Sequence, residues 1–281
     1  RTITAIIFAA VMLTGLLWNQ WSFLFLFSII HFGCWWEYLK LTEKIHSTSL
    51  HIYTKLGLML MGYGLMLLFC GNEYHFEGYF LKENVSLPVS GAGFAILLMG
   101  VFQKNNINLK GFAMAVLGLV YISVCWGLML DLNNRVEIHP FYIVDANMIP
   151  VTIVAAIWIN DTMAYLVGSL IGKTPLSRVS PKKTWEGTVG GMIFCISFMY
   201  FLWGGIAYGI HGKTSIVFGI IAAIVAIAGV FGDLLESKLK RMAGVKDSGS
   251  LMPGHGGFLD RFDSLLLATP AVWVYVKFFL P

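Results

Sequence analysis

The sequence predicts an all-α polytopic integral membrane protein with about nine transmembrane helices. Of the 281 residues, 57% are apolar or aromatic and only 12% are charged, and the mean hydropathy is +0.75. A soluble domain would carry about 25% charged residues. Apolar segments long enough to cross a bilayer as helices recur nine times along the chain. This composition excludes a secreted disulfide scaffold, a coiled coil and a disordered protein, because each of these needs many cysteines or many charges.

The nine predicted segments run in order along the whole chain. They cover residues 3–18, 20–36, 52–70, 87–102, 111–130, 148–171, 187–210, 215–235 and 264–280. The first resembles a signal peptide, but no cleavage site of small residues follows it, so we expect a retained helix. Because little more than Asn19 separates the first two segments, they form either two crossings, a tight hairpin or a half-inserted pair.

The placement of positive charge predicts the orientation of these helices. With nine crossings, 15 of the 19 Lys and Arg residues lie on the side of the N-terminus. Positively charged loops face the cytoplasm in most membrane proteins. We therefore expect a cytoplasmic N-terminus, and a polar groove with an active site that faces the cytoplasm from the cell inner (cytoplasmic) membrane. The aromatic residues are typical of interfacial belts in contact with the lipid bilayer, and we expect no nucleic-acid partner.

The recognisable motifs are confined to the second half of the chain. Residues 1–147 form five predicted spans without a motif, and residues 148–281 form four spans with two cytoplasmic loops. We expect the second part to be catalytic. Buried free thiols are expected at the four cysteines, which lie within or at the ends of apolar segments. Pairs of glycines four residues apart, such as Gly168 with Gly172 and Gly187 with Gly191, predict close helix packing.

Asp233 begins a polar helix face at the end of a long apolar run. Glu236, Ser237, Lys240 and Arg241 follow it at helical spacing and share that face. The face is either a solvated stripe or a functional one. Carboxylates are costly beside an apolar span unless they hold something, so we expect Asp233 to be functional.

Two further aspartates precede the last predicted span. Asp260 and Asp263 lie three residues apart around Arg261, so both carboxylates can converge with Asp233 on a divalent cation. Oxygen ligands without an accompanying cysteine pair favour Mg²⁺ or Mn²⁺ over zinc, with one or two cations.

The loop between these acidic positions is rich in glycine. Gly254, Gly256 and Gly257 permit turns that point backbone N–H groups at an anion, and Lys246 adds a positive charge. His255 fits a turn or a phosphate contact better than a proton acceptor. A glycine-rich loop alone is weak support for a site, and the neighbouring carboxylates strengthen it.

Asp161 opens a second polar cluster, deep in a predicted span. It lies about 16 Å along the helix from the cytoplasmic end, where a carboxylate must face a wet or polar groove. The loop that follows supplies cations and hydroxyl groups, namely Lys173, Arg178, Ser180, Lys182, Lys183 and Thr184. This loop is either a positive-inside anchor on anionic lipid or a ligand-binding loop.

Together the two loops suit a polyphosphate with its metal. Because the groove would open sideways into the bilayer, a lipid is the expected second substrate. Phosphoryl or nucleotidyl transfer between such molecules needs charge neutralisation and alignment more than covalent help from the protein.

Two sequence blocks resemble a known family. The run Ser237–Asp263, S-K-L-K-R-M-A-G-V-K-D-S-G-S-L-M-P-G-H-G-G-F-L-D-R-F-D, resembles the signature of the CDP-diacylglycerol synthases, also called phosphatidate cytidylyltransferases. The block Asp161–Gly187, with D-T-x-A-Y and S-P-x-K-T-W-E-G, is similar to a second block of that family. Met163 stands where the family pattern leads us to expect glycine.

The resemblance implies a Mg²⁺-dependent transfer of the cytidylyl group of CTP to phosphatidate in phospholipid biosynthesis. It implies that Asp233, Asp260 and Asp263 hold the metal. The expected catalytic residues are Asp233, Lys240, Arg241, Lys246, Asp260 and Asp263. The expected substrate-binding residues are Asp161, Ser180, Lys183, Thr184, Glu186, Ser237, Gly254, His255, Gly256, Gly257 and Arg261. A homodimer is left open.

Two other functions fit part of the sequence. A CTP-dependent kinase of polyprenols or other isoprenoid alcohols would use the same nucleotide but transfer its γ-phosphate to a neutral lipid. A secondary transporter would also place Asp161 and glycine-rich segments in the membrane, but the chain has no inverted repeat and its charges crowd on one side.

Overall fold

The computed structural model describes residues 2–103, 108–134, 137–139, 142–144, 148–177, 179–203, 212–249 and 256–280. The predicted site residues Gly254 and His255 and the basic residue Arg178 lie outside the described residues.

The described part of the chain is almost entirely helical. Its helices are α1 (Thr2–Leu17), α2 (Gln20–Ile45), α3 (Ile52–Leu67), α4 (Leu81–Asn84), α5 (Ser86–Phe102), α6 (Leu109–Gly118), α7 (Cys125–Asn133), α8 (Met148–Ile171), α9 (Trp185–Phe201), α10 (Gly212–Met242) and α11 (Leu259–Phe279). A π-helical turn, Leu119–Val124, joins α6 to α7. Two short antiparallel hairpins, which the all-α prediction did not include, pair β1 (His75–Phe76) with β2 (Tyr79–Phe80) and β3 (Glu137–His139) with β4 (Tyr142–Val144).

The helices confirm the character of an all-α membrane protein. Each of the nine predicted apolar segments contains a helix. Six helices in the described residues are long and apolar enough to cross a bilayer, namely Gln20–Ile45, Leu81–Phe102, Leu109–Asn133, Met148–Ile171, Thr214–Met242 and Leu259–Phe279. Ile6–Leu17 and Ile52–Leu67 are apolar but shorter.

Two of the helices run well past the predicted apolar segments. The second segment was predicted to end at residue 36, whereas α2 continues to Ile45. The eighth was predicted to end at residue 235, whereas α10 continues to Met242. In both cases the extra turns carry charged side chains, which lower the hydropathy without opposing helix formation, because Glu, Lys and Arg are good helix formers.

The helices divide into two compact units. The first contains residues 1–134 and 239–262, and the second contains residues 135–238 and 263–281. The sequence-based division at residue 147 separates parts by their motifs and stays a prediction.

In the first unit, α1 and α2 form a helical hairpin. Asn19 caps α2, since its side chain accepts a hydrogen bond from the Ser22 amide at 2.8 Å while its own amide donates to Ser22 Oγ at 3.1 Å. Gly15 then faces Leu26, whose Cδ2 would lie 2.6 Å from a Cβ at residue 15. The cap therefore separates two helices that pack against each other, and their two crossings of the membrane stay a prediction.

Helices α3 and α5 pack with their backbones in close contact. A Cβ on Gly57 would clash with the Leu97 backbone, and a Cβ on Gly93 would clash with the Met61 amide nitrogen. Without a hydrophobic driving force between helices in lipid, such close approach of small residues supplies much of the packing energy.

A buried polar cluster joins α2 to the π-helical turn. Ser123, in the π-helical turn, accepts a hydrogen bond from Trp35 Nε1 at 2.9 Å and pairs with His31 Nε2 at 3.0 Å. His31 thus hydrogen-bonds from α2 to the π-helical turn. The predicted free, buried state of Cys34, Cys70, Cys125 and Cys195 is confirmed.

In the second unit, glycines bring α8 and α9 together as predicted. A Cβ on Gly187 would lie 2.8 Å from the Gly168 Cα, and a Cβ on Gly191 would lie 2.9 Å from the Ala164 Cβ. Met163 is half-buried and does not take part in these closest contacts. The contact between the two helices therefore does not require glycine at residue 163.

The packing of α3 against α5 makes a sharp prediction about two neighbouring glycines. Gly93→Ala should destabilise the protein by about 1–3 kcal/mol, because the new methyl group meets backbone that cannot rotate away. Gly91→Ala is the matched control, because a Cβ there meets nothing within 4 Å. Alanine at this helical position should be neutral or stabilising by up to about 1 kcal/mol. Thermal unfolding of both variants in detergent measures the difference, and equal melting temperatures would contradict the packing.

Candidate functional site

Three carboxylates and a lysine of the second unit lie near one another. We call Asp161, Lys183, Asp233 and Asp263 the carboxylate cluster. Lys183 Nζ lies 3.0 Å from Asp233 Oδ2 in an ion pair. The charges of Asp161 and Asp263 both act on Asp233 and on Lys183. Side chains predicted separately from two sequence blocks are therefore brought together.

A glycine explains why α10 and α11 meet at this point. A Cβ on Gly232 would clash with the Asp263 carbonyl and would lie 2.9 Å from the Ser264 Cα. The glycine lets the two backbones touch, which places Asp233 beside Asp263. The Asp263 side chain is 7% exposed, and its Oδ1 accepts a hydrogen bond from the Ser264 amide at 2.6 Å.

Asp161 occupies the middle of α8 and keeps an exposed side chain. The prediction from its depth in the helix was a wet or polar groove. An exposed carboxylate within the electrostatic range of Lys183 is what such a groove requires.

Lys183 is held in place by the backbone of its loop. The Leu176 amide donates to the Lys183 carbonyl at 2.7 Å, and the Lys183 amide donates to the Ser180 carbonyl at 3.2 Å. Pro175 and Thr184 form an antiparallel bridge across the loop. These contacts fix the backbone position of the lysine that pairs with Asp233.

Thr184 and Glu186, predicted as substrate contacts, both have a role in the fold of this loop. Thr184 is the N-cap of α9 and accepts from the Gly187 amide at 3.2 Å. Glu186 accepts from the Lys173 amide at 3.2 Å and from the Thr174 hydroxyl at 2.8 Å. They brace the segment that presents Lys183.

The carboxylate cluster has the donor chemistry that a divalent cation requires. Lys183 forms an ion pair with Asp233 and acts electrostatically on Asp161 and Asp263, and hard oxygen ligands suit Mg²⁺. Within the described residues, no three acidic, His or Cys side chains stand at metal-ligating geometry. Mg²⁺ is usually bound by one or two carboxylates together with water and substrate phosphates rather than by a complete protein cage. Asp233 and Asp263 fit this mode of binding.

In the first unit, the end of α10 is fixed by a glycine with positive φ. Gly244 has φ +66°, the Val245 amide donates to the Lys240 carbonyl at 2.9 Å, and the Gly244 amide donates to the Arg241 carbonyl at 3.1 Å. This is the Schellman pattern of hydrogen bonds, which needs a left-handed residue just past the helix. It sets the direction in which the chain leaves α10.

Asp260 lies in the first turn of α11 and is heavily engaged. Its Oδ1 lies 2.6 Å from Lys240 Nζ. Its Oδ2 accepts from the Ser248 amide at 2.8 Å, from the Ser248 hydroxyl at 2.9 Å and from the Gly257 amide at 2.8 Å. Both oxygens of this predicted metal ligand are thus bound within the protein, which distinguishes it from Asp233 and Asp263.

Glu37 is a residue of this site that the sequence analysis missed. It lies in α2, 5% exposed, and accepts hydrogen bonds from the Phe258 and Leu259 amides at 3.0 and 2.9 Å. The predicted apolar segment ends at residue 36, one residue before Glu37, so hydropathy does not include Glu37 in the helix. An acidic residue inside a long helix next to an apolar run is itself a signal of function, and the true length of α2 would have raised it.

The other predicted side chains of the first unit are open to solvent or half-buried. Arg241, Lys246 and Arg261 are exposed. Gly256 has φ +84°, and a Cβ there would lie 2.7 Å from Asp260 Oδ2, so this turn requires glycine. In the second unit, Ser180 and Ser237 are half-buried.

Comparison with known proteins gives consistent results. The sequence model of the cytidylyltransferase family matches residues 1–279. Phosphatidate cytidylyltransferase of Synechocystis sp. is 33% identical over 220 residues, which cover 69% of this chain and 71% of the relative. Phosphatidate cytidylyltransferases 5 and 4, chloroplastic, of Arabidopsis thaliana are 33% identical over 210 residues and 46% identical over 118 residues. These alignments cover 69% and 42% of this chain, and they span only 52% and 29% of the two plant proteins.

The brace formed by Glu186 predicts a specific pH dependence. Hydrogen bonds from its own amide, from Thr174 and from Lys173 hold the pKa of Glu186 at about 2, below its ordinary value of 4.5. A lowered pKa in the folded state means that the brace stabilises the protein fully above pH 4.5 and is lost as the pH falls toward 2. Thermal unfolding should therefore show wild type more stable than Glu186→Gln at pH 6, with the difference vanishing near pH 2.

The control for this experiment is Glu83→Gln, which changes an exposed carboxyl group in α4. Its difference from wild type should stay small at every pH. A Glu186→Gln difference that is the same at pH 6 and near pH 2 would contradict the assignment.

Proposed function

The chain belongs to the cytidylyltransferase family, and we propose that it transfers the cytidylyl group of CTP to phosphatidate, forming CDP-diacylglycerol and pyrophosphate. The observation that carries this proposal is the carboxylate cluster, in which Asp233 pairs with Lys183 beside the buried Asp263. Carboxylates in excess of cations, next to an apolar bundle, suit a metal–triphosphate complex that meets a lipid. The relatives named phosphatidate cytidylyltransferase support the choice of substrates.

In the proposed reaction, an oxygen of the phosphatidate headgroup attacks the α-phosphorus of CTP. A new O–P bond forms, the bond from the α-phosphorus to the bridging oxygen breaks, and its electron pair leaves with pyrophosphate. A phosphate monoester is already ionised near pH 7, because its second pKa is about 6. The protein therefore needs no strong general base.

Asp233 and Asp263 are the proposed metal ligands of the second unit. Bound Mg²⁺ would neutralise phosphate charge and orient the phosphate oxygens. Lys183, whose backbone is fixed by its loop, forms an ion pair with Asp233. Its ammonium group can also contact a phosphate directly and so align the lipid or the nucleotide. Asp161 keeps the groove polar within α8. Asp260, the third ligand expected from the family resemblance, remains a predicted metal ligand.

The exposed cations of the first unit are the proposed contacts of the triphosphate. Arg241, Lys246 and Arg261 are exposed, so a soluble anion can reach them. Lys240 forms an ion pair with Asp260, and its proposed contribution to the site is to hold that carboxylate in place.

We also propose how the protein lies in the membrane. Nine crossings place 15 of the 19 Lys and Arg residues on the cytoplasmic side of the inner membrane, where CTP is available. The proposed active site then faces the cytoplasm. A homodimer stays a prediction.

The nature of the released product tests the function. Purified protein in detergent should convert CTP and phosphatidate to CDP-diacylglycerol, with one pyrophosphate released for each lipid formed. An isoprenoid-alcohol kinase would instead release CDP, and only when a polyprenol is supplied. A transporter would release neither product. Absence of pyrophosphate release with phosphatidate would overturn the proposal.

Asp233→Asn tests the role of the carboxylate cluster. Loss of one oriented charge in such a site should lower kcat by about 100- to 1000-fold. The size-exclusion profile in detergent should be unchanged, because the side chain is 24% exposed and its shape is kept.

Glu83→Gln, outside the cluster, is the control and should keep wild-type activity. Near-normal turnover by Asp233→Asn would contradict its role in the reaction.

A further inference from the structure

Glu37 links the part of the chain without motifs to residues that lie in the sequence between Lys246 and Arg261, two proposed contacts of the triphosphate. It lies in α2, and its three hydrogen-bond donors come from residues more than 200 positions later in the sequence. Ser248 Oγ donates to Glu37 Oε2 at 2.7 Å, the Leu259 amide donates to the same oxygen at 2.9 Å, and the Phe258 amide donates to Oε1 at 3.0 Å.

Two glycines shape the space around this carboxylate. A Cβ on Gly249 would clash with Glu37 Oε1, and a Cβ on Gly257 would clash with Glu37 Oε2. The backbone at Gly249 and the backbone at Gly257 therefore both lie directly against the carboxylate group of Glu37. Neither glycine has a positive φ, so their role here is close approach rather than an unusual turn.

Ser248 connects Glu37 to Asp260. Its hydroxyl lies 2.7 Å from Glu37 Oε2 and 2.9 Å from Asp260 Oδ2, while its amide donates to Asp260. Asp260 in turn pairs with Lys240 at 2.6 Å. A continuous set of contacts therefore runs from α2 through the loop to the last turn of α10.

Burying the Glu37 carboxylate costs free energy of desolvation. A role in fixing the geometry of the loop explains why the carboxylate is there. Replacing buried ionic groups with well-packed apolar residues is often neutral or stabilising, so stability alone does not call for a buried carboxylate. Glu37 orients the backbone at the start of α11, because its two oxygens accept hydrogen bonds from the Phe258 amide, the Leu259 amide and the Ser248 hydroxyl at once. Loop amides held in this way are preorganised.

We propose that Glu37 is a positioning residue that holds Ser248 and the Phe258 and Leu259 amides in the arrangement that binds substrate. The inference rests on the proposed function for its kinetic effect, because these residues lie in the chain between Lys246 and Arg261, two proposed contacts of the triphosphate. When the contacts to Glu37 break, the fraction of protein competent to bind CTP falls, and the apparent affinity falls by the same factor. The chemical step, once CTP is bound, is less affected.

Glu37→Gln tests the proposal with little change in shape. The amide NH₂ group replaces one acceptor with a donor, opposite a backbone N–H or the Ser248 hydroxyl. We expect KM for CTP to rise about tenfold with kcat within about threefold of wild type. Hydrogen–deuterium exchange of a peptide that covers residues 248–259 should become about tenfold faster.

Glu43→Gln is the matched control in the same helix. Glu43 also accepts a backbone hydrogen bond, from the Leu50 amide, and forms an ion pair with Lys55 at 2.8 Å, but its partners lie near in sequence. This variant should leave both KM for CTP and the exchange of residues 248–259 unchanged.

A second variant keeps the test decisive if Glu37→Gln does not fold. Ser248→Ala removes one donor and leaves the Phe258 and Leu259 amides on Glu37. It should shift KM and exchange in the same direction by a smaller factor.

The outcomes separate the two proposals. If wild-type protein releases pyrophosphate but Glu37→Gln exchanges like wild type, or loses kcat with KM unchanged, the positioning role is overturned. If wild-type protein releases no pyrophosphate, the proposed function fails. In that case the exchange data still decide whether Glu37 holds the segment, since faster exchange supports the contact and unchanged exchange overturns it.

Discussion

The cost of burying carboxylates in an apolar bundle governs how this protein is built. An unpaired charge in such surroundings costs several kcal/mol, so each acidic side chain must find donors, a cation or water. Glu37 and Asp260 are satisfied entirely within the protein, by backbone amides, one serine hydroxyl and Lys240. The carboxylate cluster is different, because Lys183 is one cation facing three carboxylates. The first arrangement fixes the position of the backbone, and the second leaves excess negative charge for the proposed ligand.

This difference gives the two units distinct chemical characters. In the first, Asp260 accepts hydrogen bonds from Ser248 and Gly257 and forms an ion pair with Lys240, so the group orders the loop whether or not a substrate is present. In the second, Asp233 and Asp263 lie where Gly232 lets two helices touch, so their separation is set by backbone packing rather than by mutual attraction. Backbone packing therefore keeps these like charges close together, which is the preorganisation that the proposed cation site requires.

The sequence predicted the helices well because their determinants are local. Each predicted apolar segment contains a helix, and six helices in the described residues are long and apolar enough to cross a bilayer, while nine crossings stay a prediction. Small residues correctly indicated the contact of α8 with α9 through Gly168 and Gly187. Asp161, Lys183, Asp233 and Asp263 were singled out from motif and depth, although their grouping depends on helix packing. Glu37 was missed for a physical reason. The hydropathy of the sequence falls where charged residues begin, whereas the helix continues through Glu and Lys, which are good helix formers. The bracing roles of Thr184 and Glu186 were not predictable either, since they depend on a loop conformation.

The separation of Glu37 from its partners in the sequence has a consequence for biosynthesis. Its nearest partner in the chain, Ser248, is 211 residues away, and Leu259 is 222 residues away. At about 5–20 residues per second, a ribosome takes about 10 to 40 s to cover this distance. During that interval α2 carries a carboxylate whose native donors have not been made. The first unit therefore cannot finish assembling as its first helices emerge, because the contacts to Glu37 can form only after Leu259 has been made.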